Sequence, residues 1–145
     1  MGSYLNPGNA LFKMAVNSQI FVDKSMLIDV TNRYLNTMQR FICVSRPRRF
    51  GKSVAADMLA AYYDRSVDSF ALFEHLEISS QKSYGIHLNQ YDVIKLNMQE
   101  FLSGTKNVDE MLERIQKFLI FDLLDAYHQV RFRDEKSLIQ VMKDV

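Results

Sequence analysis

Apolar residues recur at helical spacing in several parts of the chain. The longest such segment, residues 108–130, has one apolar stripe formed by Met111, Ile115, Phe118, Leu119 and Leu123. Residues 53–64 combine strong helix formers with an apolar face that contains Val54, Met58, Ala61 and Tyr62. The pattern predicts helices over residues 10–16, 26–35, 53–64, 70–76, 108–130 and 135–145.

Two short segments have the composition of β-strands instead. Residues 40–45 (RFICVS) and 93–98 (VIKLNM) are apolar and rich in β-prone side chains, whereas residues 77–91 look irregular. Strands that alternate with helices favour an α/β fold with a parallel sheet and flanking helices. Because two strands make an incomplete sheet, we expect a single, helix-rich and truncated domain over residues 1–145.

The composition indicates a packed globular chain without a strong overall charge. Hydrophobic residues make up 48% and charged residues 24%, and the net charge is +1, so no global field favours nucleic acid or a membrane. The single cysteine, Cys43, lies in an apolar run and is expected to be buried. It excludes an internal disulfide and suits the cytoplasm. We expect no membrane segment.

Positive charge is concentrated where the first strand meets the helix at 53–64. Four of the seven residues from Arg46 to Lys52 are cationic. Strand, short loop and helix in this order form the arrangement that binds phosphate groups. Gly51 would permit close backbone approach, Lys52 would reach the β and γ phosphates, and Ser53 would offer its hydroxyl to Mg²⁺.

One position departs from the usual phosphate-binding motif. In G-x-x-x-x-G-K-[ST] the first residue is glycine, but here it is Arg46. Five residues still separate Ser45 from Gly51, so the spacing is kept. The alternative is a basic surface turn that leads into a helix. The predicted ligands are ATP and Mg²⁺, and the predicted contacts are Arg46, Pro47, Arg48, Arg49, Phe50, Gly51, Lys52 and Ser53.

The segment SRPRRFGKS resembles the AAA-ATPase-like family of bacterial and archaeal P-loop proteins. The segment FVDKS, about two dozen residues upstream, resembles an element that members of this family typically have. The segments YLNPGN and DVIKLNM are similar to that family too. The resemblance covers essentially all 145 residues. The first glycine of the motif is absent in that family as well. An arginine at position 46 therefore agrees with the resemblance.

The resemblance also implies properties of a whole protein. Family members have a P-loop ATPase fold and are typically longer, and many have a nuclease-like domain near the carboxyl end. Their acidic strand, which holds Mg²⁺ and orients water, would follow Val145. We therefore expect this chain to be an amino-terminal portion with little hydrolysis of its own, and we assign no catalytic residue.

Other residues give weaker signals. Asp122 ends an apolar run, FLIFD, but lies in a helical pattern, so a solvated helix surface is the preferred interpretation over a catalytic one. The histidines are too widely spaced to hold a metal ion. Asp23 and Lys24 are expected to pack structurally, with bracing of the loop or contact with nucleotide as the alternative.

Two functions remain open from the residues. The first is an ATP- and Mg²⁺-binding domain that forms homo-oligomers or works with a missing carboxyl-terminal part, with nucleic acid as a partner of the parent protein. The second is a non-catalytic module that binds nucleic acid through the basic loop, or a protein chain through an open sheet edge. Arg48 and Arg49 fit a phosphate contact or salt bridges with neighbouring carboxylates equally well.

Overall fold

The computed structural model of the chain describes residues 2–145 and is built from helices. The α-helices are Ala10–Val16 (α1), Met26–Tyr34 (α2), Lys52–Tyr63 (α3), Phe70–Phe73 (α4), Tyr84–His87 (α5), Met98–Leu102 (α6), Val108–Ala126 (α7) and Leu138–Asp144 (α8), and Glu77–Ser80 is a 3₁₀ helix. The six predicted helices are confirmed in position. The three short helical turns α5, α6 and Glu77–Ser80 were not predicted, because residues 77–91 were expected to be irregular and residues 93–98 to form a strand.

The predicted α/β fold with a P-loop NTPase-type parallel sheet is wrong. No β-strand or sheet forms within residues 2–145, where backbone pairing outside helices is limited to two isolated bridges, Leu5 with Ile94 and Asp64 with Tyr91. A β-strand needs a neighbouring strand to pair its backbone groups, and an apolar pattern in one segment does not supply that neighbour.

The two predicted strands adopt other structures. Residues 40–45 are exposed and without regular structure, and the Phe41 side chain is 84% exposed. The predicted strand at residues 93–98 is interrupted by the start of α6 at Met98. The Asn97 side chain caps this helix by accepting a hydrogen bond from the Gln99 N–H.

The described residues form two compact units, residues 2–7 with Ile94–Val145, and Gly8–Val93. In the unit Gly8–Val93, α1, α2 and α3 pack with the shorter helices around one apolar core. Its buried members are Phe12, Ile28, Met58, Ala61, Tyr62, Phe73 and Ile78. Truncation of a buried aromatic side chain such as Phe73 to alanine typically costs about 3–5 kcal/mol of stability. The buried residues of α3 begin at Met58, the seventh of its twelve residues, whereas Val54 in the first turn is 41% exposed.

The second unit is organised by α7. The predicted stripe on this helix is confirmed for Met111, Ile115, Leu119 and Leu123, which are buried, while Phe118 is partly buried. Asp122 lies beside the stripe and is only 7% exposed, so the predicted solvated surface position is wrong. Its carboxylate accepts hydrogen bonds from the backbone N–H groups of Tyr4 (2.7 Å) and Leu5 (3.1 Å). Asp122 therefore has a structural role, because it satisfies backbone donors of the amino-terminal segment.

No helix in the part of the chain that the structure describes combines the length and the apolar character needed to cross a bilayer.

Candidate functional site

The segment Arg46–Gly51, named here the cationic loop, leads into α3 through two left-handed residues. Arg49 has φ of 67° and Gly51 has φ of 78°. Glycine adopts this conformation at no steric cost, whereas an L-residue such as arginine loses about 1–2 kcal/mol there. The chain thus turns sharply around Phe50, and this turn must be held by contacts with other residues.

Those contacts come from two lysine side chains. Lys52 Nζ donates to the carbonyl oxygens of Arg46 and Pro47, the latter at 2.9 Å. Lys24 Nζ donates to the Phe50 carbonyl oxygen at 2.7 Å. The two ammonium groups therefore bind opposite ends of the cationic loop and close it upon itself.

The loop concentrates positive charge without compensation. Arg46, Arg48, Arg49 and Lys52 are all exposed, and the Lys24 ammonium lies at the same loop. None of these five cations forms an ion pair with a carboxylate of residues 2–145. The predicted alternative for Arg48 and Arg49, salt bridges with neighbouring carboxylates, is therefore wrong. Mutual repulsion of these charges is relieved when an anion binds among them.

The amino terminus of α3 adds backbone donors to the same place. Gly51 is the N-cap residue and has no side chain, so no side chain accepts from the first-turn N–H groups. The Ala55 N–H donates to the Gly51 carbonyl oxygen at 2.9 Å, and this is the first backbone hydrogen bond of the helix. The N–H groups that precede it have no partner within the helix. The twelve-residue helix also contributes the positive end of its dipole. Cations and free N–H groups together form an arrangement that binds anions.

A pocket opens beside the cationic loop. Its volume is about 350 Å³, and most of its wall is apolar. It is lined by Phe12, Ala15, Ser18, Ile20, Phe21, Val22, Lys24, Arg49, Phe50, Gly51, Val54, Ala55 and Met58. Since Lys24, Arg49 and Gly51 line this pocket and also belong to the cationic loop or contact it, the apolar pocket and the cationic loop are continuous.

Comparison with known proteins identifies the family of the chain. A family model described as "Predicted AAA-ATPase" matches residues 10–144. The chain belongs to the AAA-ATPase-like family. No curated protein and no solved structure matches it.

In this AAA-ATPase-like chain the structure brings together most of the residues that the sequence singled out. Arg46, Pro47 and Lys52 share hydrogen bonds, and Arg49, Phe50 and Gly51 line the pocket. Arg48 and Ser53 are exposed on either side of the turn, and within residues 2–145 their side chains form no hydrogen bond or ion pair with the other site residues.

Sequence reasoning missed the pocket. Part of its apolar wall comes from α1 and from residues 18–22, which lie two dozen or more positions before the motif, and the rest comes from Phe50 and α3. The apolar run Ile20-Phe21-Val22 was a usable signal, because it places the exposed residues Ile20 and Val22 and the half-buried Phe21 near Lys24. Cys43 was predicted to be buried and is exposed instead, since the segment around it does not join a sheet.

The site offers few ligands for a metal ion. No group of three or more histidine, cysteine or acidic residues is placed to hold a metal ion within residues 2–145. Beside the cationic loop, Ser53 in the first turn of α3 is exposed and supplies one hydroxyl oxygen. Mg²⁺ commonly keeps several water molecules and binds through substrate phosphates, so this donor set fits Mg²⁺ only as part of a phosphate complex.

Proposed function

We propose that this AAA-ATPase-like chain binds ATP together with Mg²⁺ at the cationic loop and the amino terminus of α3. The observation that supports the proposal is the group of five cations without carboxylate partners, placed beside uncapped helix N–H groups. Such a group is unfavourable by itself and favourable around a polyanion. The triphosphate of ATP is an anion of the required charge and length.

The contacts that we assign to the phosphates come from the whole motif. Lys52, Arg48 and Arg49 supply charge, and Gly51 permits close backbone approach. Arg46, Pro47 and Phe50 shape the loop through their carbonyl groups, which accept from the two lysines. Ser53 is the proposed protein ligand of Mg²⁺, which when bound neutralises phosphate charge.

The apolar pocket is the proposed site of the nucleoside. A volume of about 350 Å³ is within the range of small-molecule sites. Phe21 and Phe50 offer aromatic surface to a base, and Lys24 and Arg49 lie where the pocket meets the charged loop. A ligand with an apolar, planar end and a polyanionic end matches this continuous site better than inorganic phosphate does.

We propose binding without rapid hydrolysis. Phosphoryl transfer needs a group that orients water and acidic ligands for Mg²⁺. Within residues 2–145, no group of three or more histidine, cysteine or acidic side chains is placed to hold a metal ion. We also propose a cytoplasmic site of action, because the exposed thiol of Cys43 suits a reducing compartment.

Calorimetric titration of the wild-type chain and of Lys52→Ala with ATP and Mg²⁺ tests the proposal. Removal of the Lys52 ammonium eliminates a charge at the phosphates and two hydrogen bonds inside the loop. We expect affinity to fall at least about tenfold, the equivalent of one charge-assisted hydrogen bond. Lys82→Ala, at an exposed position of the same unit, is the matched control and should bind like wild type.

Titration with inorganic tripolyphosphate and with single-stranded DNA completes the design. Weaker binding of tripolyphosphate than of ATP would support occupation of the pocket by the nucleoside. A salt-dependent interaction with DNA together with no response to ATP would overturn the proposal in favour of a nucleic-acid module, in which exposed Phe41 and Phe50 stack on bases. Phosphate release that depends on Lys52 would contradict the proposed slow turnover.

A further inference from the structure

The turn that contains Lys24 is fixed from the opposite side by the 3₁₀ helix Glu77–Ser80. The two Asp23 carboxylate oxygens accept from the N–H groups of Ser25 (2.7 Å) and Glu77 (2.8 Å). The Ser25 hydroxyl oxygen accepts from the Ile78 N–H at 3.1 Å, and Ser25 and Ile78 are fully buried. The backbone on both sides of Lys24 is therefore held in place.

The charge state of Asp23 supports this anchoring. Desolvation raises the pKa of the Asp23 carboxyl, but the hydrogen bonds from Glu77 and Ser25 outweigh it, and the net pKa is lowered. An ionised carboxylate accepts stronger hydrogen bonds from backbone N–H groups than a neutral one does. Asp23 thus fixes the turn, and Lys24 projects from it with its ammonium free to bond elsewhere.

The cationic loop has few other attachments. In residues 2–145, no backbone–backbone hydrogen bond involves residues 41–50. The hydrogen bonds that hold this segment come from Lys24 and Lys52. Lys52 belongs to α3, the helix that the loop enters, so its bonds close the loop locally. Lys24 connects the loop to the anchored turn 23–25.

We propose that Lys24 is a positioning residue that holds the cationic loop at the amino terminus of α3 in the form that receives phosphate. The inference rests on the proposed function and extends it to a residue outside the motif. The Lys24 ammonium lies close to the loop backbone, since a Cβ at Gly51 would be 3.2 Å from Nζ. Lys24 therefore both fixes the left-handed turn and adds a positive charge beside the anion site.

The test compares Lys24→Met, which keeps the aliphatic stem but removes donor and charge, with Lys24→Arg, which keeps both. Lys82→Met, at an exposed position of the same unit, is the control. The first readout needs no ligand and measures the rate at which an arginine-specific protease cleaves after Arg48 and Arg49. The second readout is the dissociation constant of inorganic tripolyphosphate, measured calorimetrically.

We expect Lys24→Met to be cleaved in the loop several-fold faster than wild type and to bind tripolyphosphate about tenfold more weakly. Lys24→Arg should have a cleavage rate and a dissociation constant close to those of wild type. Lys82→Met should change neither quantity. Circular dichroism identical to wild type shows that a faster cleavage is local. If Lys24→Met does not fold, the test rests on Lys24→Arg. Faster cleavage after Arg48 and Arg49 in Lys24→Arg than in wild type would then contradict the proposal.

The outcomes separate this inference from the proposed function. If wild type binds tripolyphosphate and Lys24→Met binds it equally well, with unchanged cleavage, the role of Lys24 is refuted while nucleotide binding stands. If wild type binds neither tripolyphosphate nor ATP, the proposed function fails, whatever the cleavage rates show.

Discussion

Two left-handed residues determine the shape of the candidate site. At Arg49 the conformation is strained, and at Gly51 it is free of steric cost. A sequence motif indicates that glycine belongs at position 51, but it does not reveal that the preceding turn also uses Arg49 in this way. Strain at an exposed loop is retained only where other contacts maintain it, and here two lysine ammonium groups do so.

Replacement of Gly51 by alanine should destabilise the chain. An alanine at φ of 78° costs about 1 kcal/mol, and its Cβ would lie 3.2 Å from Lys24 Nζ, so the lysine must shift. We expect the free energy of unfolding in urea to fall by about 1–2 kcal/mol. Gly85→Ala is the control, because a Cβ there meets nothing within 4 Å and the helix α5 gains from alanine. Equal effects of the two substitutions would refute the conformational argument.

At the scale of elements, helix amino termini differ in how they are capped. The side chains of Asn97, Asn107 and Ser137 accept backbone hydrogen bonds at the starts of α6, α7 and α8. The start of α3 has glycine and no side-chain cap. The helices α1, α2, α4 and α5 also lack a side-chain cap, so an uncapped start by itself does not distinguish α3. What distinguishes α3 is that its uncapped N–H groups follow directly on the cationic loop.

Loss of a cap should weaken α7 by a predictable amount. The Asn107 side chain accepts from the Glu110 N–H at 2.8 Å, and the Glu110 carboxylate accepts from the Lys106 N–H at 2.9 Å. We expect Asn107→Ala to lower the free energy of unfolding by about 1 kcal/mol, measured by urea denaturation. Asn107→Asp keeps the acceptor and adds negative charge at the helix start, so it should be close to wild type. A loss with aspartate as large as with alanine would argue against capping.

At the scale of the whole molecule, acid stability should depend on the carboxyl of Asp144. The Arg133 guanidinium donates hydrogen bonds to this carboxylate, Nε at 2.7 Å, and lowers its pKa from 3.8 to about 2. A lowered pKa in the folded state means that the folded chain binds the proton less tightly than the unfolded chain. The stabilisation is complete above the unfolded pKa and is lost as the pH falls from about 4 to about 2.

Denaturant titrations between pH 5 and pH 2 measure this dependence. We expect wild type to be more stable than Asp144→Asn at pH 5 and the difference to shrink as the pH approaches 2. Arg133→Gln removes the guanidinium but leaves the hydrogen bonds from the residue-133 backbone N–H and from Gln140, so it should reduce the same pH dependence without abolishing it. A difference between wild type and Asp144→Asn that is constant across this range would contradict the linkage.

Sequence reasoning was strongest for helices and for the composition of the loop. The stripe on α7 and the start of α3 follow from local spacing, because the helix period depends only on neighbouring turns. The sheet was wrong because strand pairing depends on distant segments. The predictions for Cys43, which is exposed, and Asp122, which is buried, were wrong for the same reason. The burial of each residue depends on which distant segments pack against it.

The sequence by itself determined the helices, the family and the cationic composition of residues 46–52, since each is a property of residues close together in the chain. Only the tertiary structure decided that residues 40–45 stay outside a sheet, that an apolar pocket lies beside the loop, and that Lys24 holds Phe50. These features join segments up to dozens of positions apart, and their formation depends on burial and hydrogen bonding that no local pattern encodes.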